Sequence, residues 1–346
     1  MNNVGARDLK RFKRKALSVS QELLVKTDYL GHGGRTPLII RPALDGVELV
    51  AWAAGNRELI EDRLLDHGAL LLRGFVVRSP EEFEQFIKTV SDHLLQYNER
   101  SSPRKNVSGN IYTSTDYPAD HSIFFHNENS YQNVWPLRIF FFCVTVAERG
   151  GETPIADCRR VLGRISPSIV ARFVEKQVMY VRNFGDGFGL SWQTVFQTED
   201  KAAVEQYCLK TGIECEWKSG DRLRTRQVRP AVARHPRAGE KSWFNHAAFF
   251  HVSTLDPLIR EMMLEDFGED ELPSNTYYGD GSRIEPSVLD EIRNAYTQEA
   301  ISFPWERQDV LVLDNIYTAH SRSPYEGERK VLVGMADPLN WKDALT

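Results

Sequence analysis

The sequence predicts a mainly β protein with helical insertions, folded as one domain around a β-sandwich or distorted barrel. Three observations carry that expectation. Strand-like runs stand early (ALLLRGFVV, IFFFCVTVA) and late (DVLVL, KVLVGMA). Helical patterns dominate the stretch between, from about 160 to 300, which reads as an insertion between core strands. No internal repeat and no low-complexity linker divides residues 1–346, so a single domain is expected.

In chain order, residues 1 to about 50 carry few periodic signals and include the prolines of TPLIIRPALDG, so they read as an N-terminal wrapping arm. The basic stretch from Lys10 to Lys15 reads as a solvated helix start or a disordered arm, with partner docking as the alternative. Arg57 to Asp66 follow a helical pattern that runs into Gly68 and the strand ALLLRGFVV. Ser79-Pro80-Glu81-Glu82 has the form of a capping box with proline at the first helical position. Phe83, Phe86, Ile87, Val90 and Leu94 follow at helical spacing and predict one buried stripe. From Arg138, IFFFCVTVA reads as a strand buried on both faces and closed by Gly150-Gly151. Ser166-Pro167 opens a helix, and residues 199–211 form another. Strand-like segments return with VARHP and WFNHAAFFH. Helices near 255–267 and 286–297 precede the closing strands DVLVL (309–313) and KVLVGMA (330–336).

With 346 residues, 41% of them hydrophobic, the chain is long enough to bury a substantial core. A net charge of −5 and a pI near 6.0 give no electrostatic footprint for nucleic acid or an anionic membrane. No run approaches the roughly eighteen apolar residues of a membrane span, and no signal-peptide segment follows the basic N-terminus. Cys143, Cys158, Cys208 and Cys215 show no C-x-x-C spacing, so reduced thiols in a cytoplasmic protein are expected.

The chemistry-bearing pattern is His126-Asn-Glu128 in an apolar, aromatic run, with His320 in a second apolar stretch that ends in Arg329. Two imidazoles and one carboxylate occupy one face of an octahedral metal in non-haem iron oxygenases and leave the opposite positions open. On a strand, residues two apart project to the same side, so His126 and Glu128 are expected side by side. His320 would then complete the set from a neighbouring strand. Zinc also accepts two histidines and a carboxylate. His121, His235, His246 and His251 read as core or loop histidines, because three protein ligands already complete such a set.

Four ordered segments then match a known pattern: HGALLLRGF (67–75), FFHNENSY (124–131), ERGGETPIAD (148–157) and DNIYTAHSRSPYEGERKVLVGMADP (314–338). On these segments the chain, from Leu49 to Pro338, resembles the TauD/TfdA-like iron(II)/2-oxoglutarate-dependent oxygenases of the clavaminate-synthase-like superfamily. With WFNHAAFFH (243–251) and YYGDGS (277–282), it is most similar to a branch associated with nonribosomal peptide and antibiotic biosynthesis, the syringomycin-type amino acid hydroxylases. The resemblance implies a double-stranded β-helix (jelly roll) core. It implies ferrous iron held by His126, Glu128 and His320, with 2-oxoglutarate and dioxygen as cosubstrates. Arg329 would bind the distal carboxylate of 2-oxoglutarate, helped by the Thr153 hydroxyl. The residue types suit those roles, since arginine offers a rigid, permanently charged fork that matches a carboxylate. Many family members carry aspartate where this chain has Glu128; the extra methylene changes reach, not ligand type. Halogenases of the superfamily lack that carboxylate, so hydroxylation is expected over halogenation.

The implied reaction is hydroxylation of an unactivated carbon, Cβ foremost, of a free or carrier-protein-tethered amino acid, with release of succinate and carbon dioxide. Asn127, Ser130, Tyr131 and Asn245 are candidate substrate contacts, with packing or backbone capping as the alternative for each. Arg322 is either a loop ion pair or a partner for a substrate carboxylate or the ketoacid. Epoxidation and desaturation use the same ligand set, as does a catabolic sulfonate or small-acid dioxygenase. A non-catalytic metabolite-binding protein would tolerate loss of the ligands. The expected partners are an amino acid or an aminoacyl carrier protein, with no nucleic acid and no membrane; the oligomeric state is left open.

Overall fold

A computed structural model describes residues 24–30, 36–95, 106–114, 117–185 and 189–345; the basic stretch Lys10–Lys15 lies outside them. An eight-stranded sheet forms the body of the fold. Its order is Val25–Tyr29, Leu38–Pro42, Ala69–Leu72, Val310–Asp314, Val134–Thr145, Lys330–Asn340, Ile111–Thr113 and Asn106–Ser108. Neighbours run antiparallel except Leu38–Pro42 and Ala69–Leu72, which are parallel.

Alternation along the central strand Val134–Thr145 divides the core. Phe140 and Phe142 pack with Trp52, Phe83 and Phe86 from the helices Leu49–Ala54 and Pro80–Val90. Ile139, Phe141 and Cys143 point the other way and pack with Ile155, Phe303 and Trp305. The run IFFFC is therefore apolar throughout because both of its faces are covered. Helix Pro80–Val90 starts as the sequence predicts: Ser79 accepts from the Glu82 N–H, and Phe83, Phe86, Ile87 and Val90 are buried. The Glu82 carboxylate, however, accepts from Arg78 N–H at 2.8 Å, one residue before the expected position.

A smaller sheet of three strands, Ile123–His126, Thr318–Arg322 and Ile155–Asp157, carries Thr318–Arg322 at its centre. Through Ile155 it joins the inner core of the main sheet.

Two regions depart from the sequence reading. The expected N-terminal arm contributes two strands, Val25–Tyr29 and Leu38–Pro42, which extend the main sheet at its edge. Leu38, Ile39 and Ile40 are buried, and the flanking prolines disguise so short a strand. The insertion contains the predicted helices Pro167–Lys176, Lys201–Thr211, Pro257–Phe267 and Pro286–Glu299, but also a four-stranded sheet. That sheet runs Glu214–Trp217, Leu223–Arg229, Val178–Phe184 and Ser274–Tyr278. Strand Leu223–Arg229 (LRTRQVR) buries Leu223, Thr225, Gln227 and Arg229, so its inward row is mostly polar and shows no hydrophobic alternation. Among the described residues, no helix is long and apolar enough to cross a membrane.

Strands Ala69–Leu72 and Val310–Asp314 are tied at one end by a buried ion pair. Val310 pairs with Leu72, and just beyond them Arg73 forks onto Asp309, with Nε 3.0 Å from Oδ1 and a terminal nitrogen 2.6 Å from Oδ2. Asp309 is fully buried, and removing the partner of a buried charge is far more costly than never having the pair. Arg73→Ala is expected to lower the unfolding free energy by about 3–5 kcal/mol, read by urea denaturation. A loss below about 1 kcal/mol would show that the pair is dispensable.

Candidate active site

His126 closes strand Ile123–His126, and its register partner on the adjacent strand is His320. Their rings lie 4.3 Å apart, centroid to centroid. The pairing then slips, because Arg322 pairs with Ile123, and the resulting bulge re-aims the side chains beside the two histidines.

Glu128 reaches the same point by a different route from the one expected. The strand ends at His126, and residues 128–130 form a turn in which Asn129 adopts φ 57°. Asn315 folds this turn back. Its side chain accepts from Glu128 N–H at 2.8 Å and donates to the carbonyls of Glu128 at 2.9 Å and Pro136 at 2.8 Å. Asn127 donates in turn to the Asn315 carbonyl at 2.7 Å. A clamped turn, not a shared strand face, brings the carboxylate to the histidines.

The three side chains are buried and offer one donor atom each, all within 4.8 Å of one another. Glu128 Oε2 lies 3.7 Å from His320 Nε2. The Phe124 carbonyl, 2.9 Å from His126 Nδ1, can only accept, so Nδ1 of the neutral ring carries the proton and Nε2 keeps its lone pair. Phe249 stacks on the His126 ring at 4.7 Å and 13°, while Phe141 flanks His320 at 5.0 Å. Two nitrogen donors and one carboxylate, converging from one side, fit a divalent iron with open positions opposite.

Two cavities meet at His126. The larger, about 410 Å³, is walled by Phe124, Phe249, Phe250 and Ile259, with Asn129 and His246 as polar groups. The other is narrow and is lined by Arg329, Thr153, Ser114 and Arg322 along with both histidines. There Arg329 donates to the Gly151 carbonyl at 2.7 Å and to the hydroxyls of Ser114 and Thr153 at 3.3 Å each. Trp305 also donates to Thr153 Oγ1, at 3.2 Å, so that hydroxyl keeps its own proton for another acceptor. Gly151 has to be glycine: its φ is +74°, and a Cβ would stand 2.9 Å from Arg329 Cδ. Burial pushes the Arg329 pKa down to about 10, and repulsion from Arg322 adds to the shift. A half-buried cation among neutral oxygens is stabilised by an incoming carboxylate.

The remaining predicted contacts sit elsewhere. Asn127 supports Asn315, and Ser130 Oγ lies 2.6 Å from His246 Nδ1. Tyr131 is fully buried, 5.3 Å from the His246 ring. Asn245 donates to the Ala231 carbonyl and accepts from Ala247 N–H. None of these four lines either cavity, and Arg322 lines the narrow one. His235 pairs with Asp314 at 2.9 Å, and His251 accepts from Ser253 N–H, as core and loop histidines do. His246 is likewise a buried core histidine outside the ligand group, though it and His121 also line the larger cavity, and burial holds the His246 pKa well below the ordinary histidine value. Sequence reasoning did not single out Asn315, Ser114 or Phe249. The signal for Asn315 was a polar residue interrupting the apolar run VLVLDNIY shortly before His320.

Comparison with known proteins agrees with this geometry. The sequence model of the taurine catabolism dioxygenase TauD, TfdA family matches residues 33–336. The dapdiamide synthesis protein DdaC of Enterobacter agglomerans is 45% identical over 311 residues, 87% of this chain and 94% of that one. A clavaminate synthase-like protein of Arabidopsis thaliana is 29% identical over 290 residues, 81% of this chain and 84% of that one. Among solved structures, PvcB of Pseudomonas aeruginosa, an Fe, alpha-ketoglutarate dependent oxygenase from an isonitrile synthetic pathway, superposes with a TM-score of 0.53 at 15% identity. That match covers 96% of this chain and 94% of that one, and shows a shared jelly-roll fold. The chain belongs to the TauD/TfdA family of iron(II)/2-oxoglutarate-dependent dioxygenases.

Proposed function

We propose that the protein hydroxylates an unactivated carbon, Cβ foremost, of a free or carrier-protein-tethered amino acid in natural-product biosynthesis. The observation that carries the oxygenase reading is the convergence of His126, Glu128 and His320 between two cavities. One cavity holds a half-buried arginine whose hydrogen-bond partners are neutral, and the other has the size and aromatic lining of a small-molecule site. The biosynthetic setting is supported by the 45% identity to a protein named for dapdiamide synthesis.

In this reading His126 Nε2, the Glu128 carboxylate and His320 hold the iron. Bound iron and 2-oxoglutarate supply the oxidising chemistry: one atom of dioxygen enters the substrate, the other enters succinate, and carbon dioxide leaves. The chain's own residues do the positioning. Arg329 and Thr153 hold the far carboxylate of the ketoacid, the arginine as a charged donor and the threonine through its remaining proton. Phe124, Phe249 and Phe250 exclude water and hold the apolar part of a substrate beside the ligands. The Phe124 carbonyl fixes the His126 tautomer, and Asn315 fixes the reach of Glu128. Epoxidation or desaturation would use the same residues, and product analysis separates these outcomes.

The reading is tested by loading the protein anaerobically with iron(II) and 2-oxoglutarate, then admitting air with a panel of free and carrier-bound amino acids. Substrate-dependent succinate release, with one oxygen added to one panel member, is expected; uncoupled turnover across the whole panel would overturn the substrate class. His126→Ala and His320→Ala are each expected to abolish iron(II) binding in a metal titration. Arg329→Ala should leave iron binding intact and raise the 2-oxoglutarate Kd by roughly 10–100-fold, about 1.5–3 kcal/mol, as measured by calorimetry. An unchanged Kd would remove Arg329 from its assigned place. Asn315→Ala is expected to weaken metal affinity by about 10–100-fold without unfolding the chain, because it frees the turn that carries Glu128.

A further inference from the structure

We infer that Arg322 is a positioning residue that couples 2-oxoglutarate binding to the wall of the substrate cavity; the inference rests on the reading of Arg329 and the narrow cavity given above. Arg322 ends strand Thr318–Arg322 and is 6% exposed. One end of its guanidinium is bolted to a neighbouring segment. Its terminal nitrogens donate to the carbonyls of Tyr117 at 2.9 Å, Pro118 at 2.6 Å and His121 at 2.7 Å. Tyr117 and His121 belong to the wall of the larger cavity, and the segment leads directly into strand Ile123–His126. The remaining nitrogen, Nε, is buried without a hydrogen-bond partner, and Arg322 lines the narrow cavity beside Arg329. A single side chain thus forms part of the narrow cavity and holds the wall of the larger one.

Charge gives the ketoacid leverage on this side chain. The hydrogen-bond partners of Arg322 and Arg329 are all neutral oxygens, and the Tyr325 ring stands near both, at 5.3 and 5.6 Å. Two guanidinium groups facing one cavity repel, and a dicarboxylate relieves that repulsion. The Arg322 guanidinium lines the same narrow cavity as Arg329, so an anion bound there stands within reach of its charge. Because Arg322 is tied by three hydrogen bonds to residues 117–121, a pull on its guanidinium is transmitted to that segment. The same placement gives Arg322 the ketoacid as its anion, in preference to a substrate carboxylate in the larger cavity.

The test is amide hydrogen exchange over residues 117–123 in the full chain, with manganese(II) replacing iron and with or without 2-oxoglutarate. In the unmodified protein the ketoacid should slow exchange about tenfold, including at the His121 amide, which donates to the Pro118 carbonyl at 3.2 Å. In Arg322→Gln the slowing should vanish, while calorimetry still finds 2-oxoglutarate bound through Arg329, weakened less than in Arg329→Ala. Arg322→Lys keeps the charge but not the fork, so it should retain affinity without restoring the slowing. It also carries the test if the glutamine variant does not fold. Equal slowing in the variants, or none in the unmodified protein with the ketoacid bound, would overturn the coupling. Failure of 2-oxoglutarate to bind the unmodified protein at all would overturn the reading of Arg329 and the coupling with it, and calorimetry tells the two failures apart.

Discussion

The antiparallel pairing that sets His320 opposite His126, with Asn315 folding Glu128 back between them, is the constraint on which the rest of the site depends. Three polar side chains are crowded together out of water, an arrangement that is costly unless something binds them. The fold supports that cost with stiffness. Strand Thr318–Arg322 is flanked on both edges, and Phe141 from the main sheet presses against the His320 ring. Behind Phe141 the main sheet is backed in turn by helices. The donors are therefore held by backbone whose own hydrogen bonds are already made, which is what keeps a site in one geometry before its ligand arrives.

The parts of this arrangement that could be read from the sequence are those in which chemistry restricts the residue type. Histidine and carboxylate in an apolar run, an arginine after the second histidine and a threonine after a glycine pair have few alternative reasons to occur in that order. The central strand was legible too, because burial on both faces demands an uninterrupted apolar run. What escaped was whatever depends on partners distant along the chain. Asn315 looks like any turn asparagine until its three hydrogen bonds to residues 128 and 136 are seen. Strand Leu223–Arg229 was hidden because Arg229 is satisfied by Gln227 and by the Thr211 carbonyl, so its buried row is polar. Ser130, Tyr131 and Asn245 lie close to the ligands along the chain or in space, yet their side chains turn to protein groups; nearness to a ligand does not decide which way a side chain faces.

The two cavities divide recognition by physical principle. On the reading proposed here the narrow one selects by charge: a half-buried cation, flanked by a hydroxyl with a proton to give, favours a carboxylate over a neutral molecule. The larger one selects by shape and apolar area, with His246 as a neutral polar contact.

That division has a limit set by one ring contact. Phe249, which comes from the insertion and helps wall the larger cavity, also lies flat against the His126 imidazole. The element that would have to vary for a new substrate therefore helps to hold the metal. Transplanting the insertion from a relative would alter catalytic competence together with selectivity unless an equivalent aromatic plate came with it. Engineering of this protein is thus best confined to positions farther out along the cavity, such as Ile259 on helix Pro257–Phe267, where a side chain can change without disturbing the histidine.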